Sequence, residues 1–416
     1  MAVIRLSGPD TVNLVRAIAG NPPPPRQLAL RAFRHPITGE ALDMGLVAVF
    51  PAPRSFTGED CAELHAHGSQ ATVKALLAAL AATGKCRLAG PGEFTRRAFE
   101  NGKLDLTEIE GLGDLLAADT EAQRRQALAR LEGGLSQRAL AWRSTLVGLR
   151  AEIEAHLDFS DEDDVPEGLS QSFWLELEAL AQALRHELAR FAQGRIIREG
   201  FRVVLYGAPN VGKSSLLNAL AGSEVAIVTD EAGTTRDLKE VAVDIAGHKL
   251  VFVDTAGLRE TESKAEAAGI ALSRSAAEAA DLVLWLSSSD VPPVAPPETK
   301  AEVWRVVTKA DLNQETVDGL SVSTLPGGTS RLIAALAGHI ETMPGSGEAP
   351  LISHERDRLA LGEALEHLNI AVTPGKSWEL VAEDLRAASD SLARLIGLVD
   401  TEEVLDRLFQ GFCIGK

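Results

Sequence analysis

Eight residues constrain this chain more than any others: Gly207-Ala208-Pro209-Asn210-Val211-Gly212-Lys213-Ser214. They follow an apolar run, Val203-Val204-Leu205-Tyr206, and precede a helix-forming one, Ser215-Leu216-Leu217-Asn218-Ala219-Leu220. The pattern G-x-x-x-x-G-K-[ST] has phosphate-binding meaning only between a strand and a helix, and here it has both neighbours. Glycines let main-chain N–H groups close on phosphate oxygens, Lys213 brings a point charge to the terminal phosphates, and Ser214 offers a hydroxyl to Mg²⁺. A mere glycine-rich turn would not need strand, loop and helix to agree. The expectation is an α/β domain with a nucleoside triphosphate held by Asn210, Val211, Gly212, Lys213, Ser214 and Ser215.

Further signals follow in the order such a site needs. Gly233-Thr234-Thr235-Arg236-Asp237 begins 20 residues after Lys213, and a threonine hydroxyl there can complete a Mg²⁺ shell. Asp254-Thr255-Ala256-Gly257 ends the apolar strand Val251-Phe252-Val253. A carboxylate at that strand end can hold Mg²⁺ through water, and the Gly257 N–H can meet a γ-phosphate. Thr308-Lys309-Ala310-Asp311 ends another strand; Asp311 would accept from guanine N1 and N2, a donor pair that adenine lacks. The base is therefore expected to be guanine. Val322-Ser323-Thr324 matches poorly, but its main chain can brace guanine O6, most directly at Ser323. The usual guanine motif has Asn where this chain has Thr308; the shorter side chain predicts weaker guanine affinity. Leu258 occupies the place of the glutamine that orients water in Ras-like enzymes. Glu260, Glu262 and Glu266 follow it, and residue chemistry alone does not choose among them.

Texture along the chain divides it into four stretches. Residues 1–102 mix short apolar runs and turns, with a strand at Val47–Phe50, a helix at Ala71–Ala82 and a loop at Pro22–Pro25. Residues 103–199 read as long helices: Leu104, Leu106, Ile109, Leu112 and then Leu146, Leu149, Ile153, Leu157 recur at helical spacing. The acidic stretch Asp158–Asp164 reads as a solvated turn. Residues 200–339 alternate strands and helices, with a hairpin through Ala246-Gly247 and strands at Leu282–Leu286 and Val303–Val307. From 340 to 416 helices resume, clearest at Trp378–Leu398 and Glu402–Phe409, with Asp400 and Glu403 resembling a capping box. Two helical stretches flanking an α/β unit predict a helical domain with a nucleotide domain inserted in it, which close chain ends permit.

A net charge of −18 argues against broad, non-specific nucleic-acid binding, so RNA contact needs a local basic patch or a partner. No run of about 18 apolar residues predicts a membrane span. Cys61, Cys86 and Cys413 lie far apart without metal-ligand spacing, and no signal-peptide layout opens the chain. The expected compartment is the cytoplasm.

Together, Gly233–Asp237, the run Asp254-Thr255-Ala256-Gly257-Leu258-Arg259-Glu260 and the terminal Phe412-Cys413-Ile414-Gly415-Lys416 resemble the MnmE (TrmE) family of tRNA modification GTPases. Ser55–Asp60, Pro91–Thr95 and Asn101–Leu106 are similar to that family's N-terminal signatures. The likeness spans almost the whole chain. It implies a multidomain α/β and α protein: an α+β, folate-binding, dimerising N-terminal domain, a helical domain, and an inserted Ras-like P-loop GTPase domain. It also implies a flavoprotein partner, MnmG (GidA), bearing FAD, in a heterotetramer or larger complex. Together they would add a carboxymethylaminomethyl or aminomethyl group to C5 of the wobble uridine of certain tRNAs, in a reaction needing GTP hydrolysis, Mg²⁺ and K⁺.

Residue by residue, the resemblance implies a nucleotide segment of Thr229, Asp230, Glu231, Ala232, Gly233, Thr234 and Thr235. Asn210 with Thr229, Glu231 and Thr234 would hold K⁺, where an arginine finger would otherwise stand. Ser214 and Thr235 would hold Mg²⁺. Glu266, 12 residues after Asp254, matches the family's water-orienting glutamate. The catalytic set is completed by Asn210, Lys213 and Arg236. Arg5, Glu63, Lys103 and Lys416 match positions holding a 5-formyl- or methylene-tetrahydrofolate. Cys413 is either a nucleophile in C–C bond chemistry or a small residue packed beside the folate. The family opens with another strand and a glycine-rich loop before Val3-Ile4-Arg5; this chain begins inside that region, so its first sheet is expected to lack an edge strand. A ribosome-assembly switch of the Era or Der kind shares the phosphate loop, but would be expected to bring a basic RNA-binding domain or a second GTPase unit.

Overall fold

The computed structural model describes residues 1–158, 168–227, 239–254, 275–312, 320–342 and 348–399, with Leu405 and Leu408. The chain divides into two compact units, one of residues 1–113, 136–147 and 389–416, the other of 114–135 and 148–388. The helical stretch expected at 103–199 thus contributes to both.

In the first unit, β1 (Ala2–Ser7), α1 (Thr11–Ala19), β2 (Ala29–Arg34), β3 (Ala41–Phe50), β4 (Cys61–Ala66) and α2 (Gln70–Ala81) follow in order. The strands form an antiparallel sheet of order β1-β4-β3-β2. Alternation decides its two faces. Ile4, Leu6, Val47, Val49 and Leu64 are buried with Leu14, Val15 and Ile18 of α1 and Leu76 and Leu80 of α2. The opposite face exposes Val3, Leu30, Met44 and Leu46. Ser69 starts α2 by accepting the Thr72 amide at 3.1 Å. Helices α3 (Glu93–Glu100) and α4 (Leu106–Leu116) follow. Leu106 and Ile109 are buried with Leu405, against Phe99, Leu104, Leu112 and Leu408.

The remaining helices are α5 (Glu121–Leu131), α6 (Gly134–Asp158), α7 (Gln171–Ala189) and α8 (Phe191–Glu199). Asp158, expected to open a turn, is still helical; 159–164 lie outside the described residues. The nucleotide domain then runs through β5 (Phe201–Tyr206), α9 (Lys213–Ala221), β6 (Lys239–Ile245), β7 (His248–Asp254), β8 (Leu282–Ser287), β9 (Glu302–Val307), β10 (Leu320–Ser321) and α10 (Ser330–Thr342). Its sheet has the order β10-β9-β8-β5-β7-β6, parallel except for β6. Both faces are covered: Val203, Leu205, Phe252 and Leu284 lie in one core, Val204, Val251, Val253 and Val283 in another. Double burial is why these strands read as unbroken apolar runs. The expected hairpin is present, and Ala246 and Gly247 both take positive φ, 54° and 79°, as its two-residue turn requires.

Helices α11 (Glu355–Ala371) and α12 (Trp378–Ile396) complete the described elements. Most of helix 402–409 and the capping box at 400–403 lie outside the described residues. In the second unit α5 meets the segment leading into α11. Arg130 and Asp357 form a 2.7 Å ion pair, each side chain 0% exposed, and Arg130 also donates to the Leu351 carbonyl. Burial alone would raise the Asp357 pKa; the charges of Arg130, Arg356 and His354 hold it below the usual carboxylate range. Gln126 donates to the carbonyls of Gly194 (3.2 Å) and Pro350 (2.8 Å). Gly194 carries no side chain because a Cβ there would lie 2.0 Å from the Ile352 oxygen. Among the described residues no helix is long and apolar enough to cross a membrane. Arg130→Met, which takes from Asp357 its nearest buried partner and leaves only Arg356 and His354 beside it, is expected to destabilise the second unit by about 3 kcal/mol, measured by urea unfolding; a change under about 1 kcal/mol would contradict the closed environment of this pair.

Candidate functional site

Strand β5 ends at Tyr206, and the loop Gly207–Gly212 carries the chain into α9, whose first residue is Lys213. Two of its residues take φ in the left-handed region, Asn210 at 62° and Gly212 at 105°. Gly207 is pressed against β8, since a Cβ there would approach the Leu286 oxygen to 2.7 Å. The Lys213 side chain turns back over this loop, its Nζ donating to the carbonyls of Gly207 and Ala208 at 2.8 Å each. Lys213 is 6% exposed. Ser214 Oγ donates to Asp254 Oδ2 at 2.6 Å, with Asp254 fully buried. Parallel pairing sets Leu205 beside Asp254, so the end of β7 lies next to the root of the phosphate loop. Two hard oxygen donors so close, one a buried carboxylate, fit a Mg²⁺ ion.

The segment expected to read the base, Thr308–Asp311, follows the end of β9. A cavity of about 250 Å³ is lined by Gly212, Ser215 and Leu216 on one side and by Thr308, Lys309, Asp311, Ser323 and neighbouring residues on the other. Asp311 therefore shares one cavity with the start of α9. Lys309, at φ 56°, pairs with Asp290 at 2.5 Å, and this hydrogen bond lowers the Asp290 pKa. Thr308, although shorter than asparagine, still reaches the phosphate loop. Its hydroxyl donates to the Val211 carbonyl, joining the base segment to the phosphate loop, and lies 3.2 Å from the Ser287 carbonyl. The Ser323 amide donates to the Gly328 carbonyl at 3.1 Å. A brace on guanine through that amide would have to break this bond; Thr324 lines the cavity beside it. Leu216, Leu312 and Val322 also line it, and no residue-type signal marks them out from other apolar residues.

In the first unit, the antiparallel register sets Arg5 opposite Glu63, and the two pair at 3.2 Å. His65 holds the other Glu63 oxygen at 3.2 Å. The Arg5 guanidinium lies 5.4 Å from the Phe56 ring centre and 5.8 Å from that of Phe94. Lys103 Nζ donates to the Pro53 carbonyl at 3.1 Å, on the loop that carries Phe56. Opposed charges beside two aromatic faces suit a flat, polar ring with a carboxylate. Nearby, Arg87 grips Glu93 with two bonds of 2.7 Å, and Arg97 bridges Glu93 (2.9 Å) to Glu59 (3.0 Å). Ser7 donates to the same Glu59 at 2.8 Å. The motif blocks Ser55–Asp60 and Pro91–Thr95 contain Phe56, Glu59, Glu93 and Phe94, but their sequence alone assigned these residues no role.

Several expected site residues lie outside the described residues: Thr229, Asp230, Glu231, Ala232, Gly233, Thr234, Thr235, Arg236, Thr255, Ala256, Gly257, Glu266, Cys413 and Lys416.

A family model described as the GTP-binding protein TrmE N-terminus matches residues 1–103, and one described as the MnmE helical domain matches residues 106–413. The tRNA modification GTPase MnmE of Beijerinckia indica is 48% identical over 420 residues, covering 100% of this chain and 93% of that protein. That of Methylorubrum populi is 50% identical over 424 residues, covering 100% and 95%. That of Brucella canis is 46% identical over 422 residues, again covering 100% and 95%.

The hydrogen bonds from Arg87, assisted by the Gly90 amide and Arg97 against the effect of burial, lower the Glu93 pKa to about 2. An unfolded Glu titrates near ~4.3. The depressed group therefore contributes stability that is complete above about pH 4.3 and is lost as pH falls through about 2. Glu93→Gln is expected to lower the unfolding midpoint of the first unit at pH 7 and to flatten its fall below about pH 4.3. Thermal unfolding at pH 7 and about pH 3 reads both; identical slopes in wild type and variant would overturn the assignment.

Proposed function

The chain belongs to the family of the tRNA modification GTPase MnmE, and from that membership we propose that it binds and hydrolyses GTP on the loop Gly207–Ser214 while modifying the wobble uridine of certain tRNAs. The observation that carries the reading is the 2.6 Å contact of Ser214 with buried Asp254, next to Lys213 and within one α/β domain with the Asp311 cavity. That set holds a phosphate charge, a metal-binding oxygen pair and a guanine-reading carboxylate. The ribosome-assembly alternative has no comparable support.

Each described residue has a distinct task. Lys213 exchanges its loop carbonyls for the β- and γ-phosphates. Ser214 and Thr235 would hold Mg²⁺, with Asp254 reaching it through water, and the ion would neutralise phosphate charge. Asp311 accepts from the N1 and N2 edge of guanine, while Val211, Gly212 and Ser215 shape the wall between base and phosphates. Asn210, on its left-handed backbone, offers an amide oxygen to K⁺, joined by Thr229, Glu231 and Thr234. When bound, that cation supplies the positive charge that an arginine finger gives in other GTPases. Leu258 is unable to hold a water by hydrogen bonding, so Glu266 orients the attacking one, and Arg236 of the Gly233–Asp237 motif completes the catalytic set.

We further propose that Arg5, Glu63 and Lys103, with Lys416, hold a tetrahydrofolate derivative between the Phe56 and Phe94 rings. Cys413 is assigned there as either nucleophile or packing residue. The reading includes a homodimer formed through the first unit. The exposed row Val3, Leu46 and Leu30, continuous with His65 through strand register, supports an apolar interface. It also includes the flavoprotein MnmG with its FAD, a cytoplasmic location, and a helical domain of 103–199 and 340–416 interrupted by a GTPase domain of 200–339. The match of the helical-domain family model across residues 106–413 supports that insertion.

GTP turnover by the full chain is expected to be much faster in KCl than in NaCl, and to collapse in Glu266→Ala with GDP binding retained. Equal turnover in both salts would remove the K⁺ assignment. Asp311→Asn is expected to weaken GDP binding by roughly 10- to 100-fold, the worth of charge-assisted bonds to the base; unchanged affinity would displace the base from this cavity. Mass analysis of tRNA nucleosides from a strain lacking the gene tests the RNA assignment, which predicts loss of the C5 modification.

A further inference from the structure

Thr308 is 5% exposed, and both oxygens within reach of its hydroxyl are main-chain carbonyls, those of Val211 and Ser287. A carbonyl only accepts, and a threonine hydroxyl has a single proton to give. That proton goes to Val211, the nearer partner, 97 residues away in the chain. Gly212 permits this approach: a Cβ placed there would lie 3.4 Å from Thr308 Cβ, and its φ of 105° disfavours any other residue. The Thr308 amide is also engaged, donating to the Ser287 carbonyl at 2.9 Å. Guanine N7 is an acceptor, so a side chain that reads it must bring a free donor. An asparagine amide would have two N–H donors, one for the carbonyl and one for the base; Thr308 has none left. The neighbouring Lys309 ammonium has three N–H donors, and the one contact the structure gives it draws it to Asp290 at 2.5 Å.

We propose that Thr308 is a positioning residue that clasps the base segment to the phosphate loop, and that this chain selects guanine through Asp311 with no side-chain hydrogen bond to N7. The clasp keeps the two walls of the Gly212–Asp311 cavity in register, while the purine's five-membered ring is held by shape alone. This rests on the guanine site proposed above and narrows how that site reads its ligand.

Calorimetry on the full chain with GDP, 7-deaza-GDP and inosine diphosphate separates the possibilities. The 7-deaza compound, which has C–H in place of N7, is expected to bind within about 3-fold of GDP. Inosine diphosphate, lacking the 2-amino donor that Asp311 accepts, is expected to bind about 10-fold or more weakly. Thr308→Asn, with its second donor, is expected to acquire a preference of more than about 3-fold for GDP over 7-deaza-GDP. A wild-type preference of that size overturns the proposal while leaving the guanine site standing. An absence of GDP binding overturns both. Should the asparagine variant fail to fold, the wild-type comparison alone decides.

Discussion

Arg130 and Asp357 meet out of reach of water although 227 residues separate them in the chain. Everything between them, including the whole nucleotide domain, is a loop closed at its base by this pair. Closing so long a loop costs only slightly more entropy than closing a short one, because the cost grows with the logarithm of length. What the pair must offset is desolvation, which is large for two ions. It does so with company: Leu351 accepts from Arg130, and Gln126 satisfies two further carbonyls across the same junction. A buried polar junction of this kind tolerates few alternative geometries. The route from α8 through Gly200 into β5 therefore starts from a fixed base, and so does the phosphate loop six residues further on.

From that base, the chemistry follows from strand direction. Parallel strands bring their C-terminal ends to one edge of a sheet, which is where ligands bind in open α/β folds. Tyr206 precedes the phosphate loop, Asp254 closes β7, and Thr308 follows Val307 at the end of β9; each belongs to that edge. The Lys213 ammonium already rests on acceptors that are easily exchanged for phosphate oxygens, and Ser214 already touches Asp254. Little rearrangement of described residues separates this arrangement from a nucleotide-bearing one. Preorganisation of this sort reduces the ordering cost of binding.

The first unit follows a different logic. Among the described residues its sheet is covered by α1 and α2 on one face, and a row of apolar side chains is exposed on the other. Antiparallel register, rather than strand ends, builds its polar site: Arg5 meets Glu63 because β1 and β4 pair at that residue. The two aromatic rings come from outside the sheet, Phe56 from a loop and Phe94 from α3, and the Glu59–Arg97–Glu93–Arg87 chain of charges ties α3 to the Ser55–Asp60 segment. The two units thus gather polar side chains by two physical routes, strand termini in one and cross-strand pairs in the other.

Short windows of sequence determined the strand–loop–helix of the phosphate loop, the Val241–Val253 hairpin, the helix expected at Ala71–Ala82 and found at Gln70–Ala81, and the strand that ends before Thr308. Each is a local matter of periodicity, turn conformation or donor and acceptor type, so neighbours in the chain suffice to specify it. Tertiary structure alone decided the partners of buried polar groups. The carbonyl that takes the Thr308 proton lies in a loop distant in the chain, and Ser323 looked available because Gly328, which takes its amide, carries no side chain to announce the contact. The sharing of helices 103–199 between two units, and the charge network around Glu93, were equally silent. A hydrogen bond needs its two ends within about 3 Å, and which ends come that close is set by packing of the whole chain, not by the residues on either side of them.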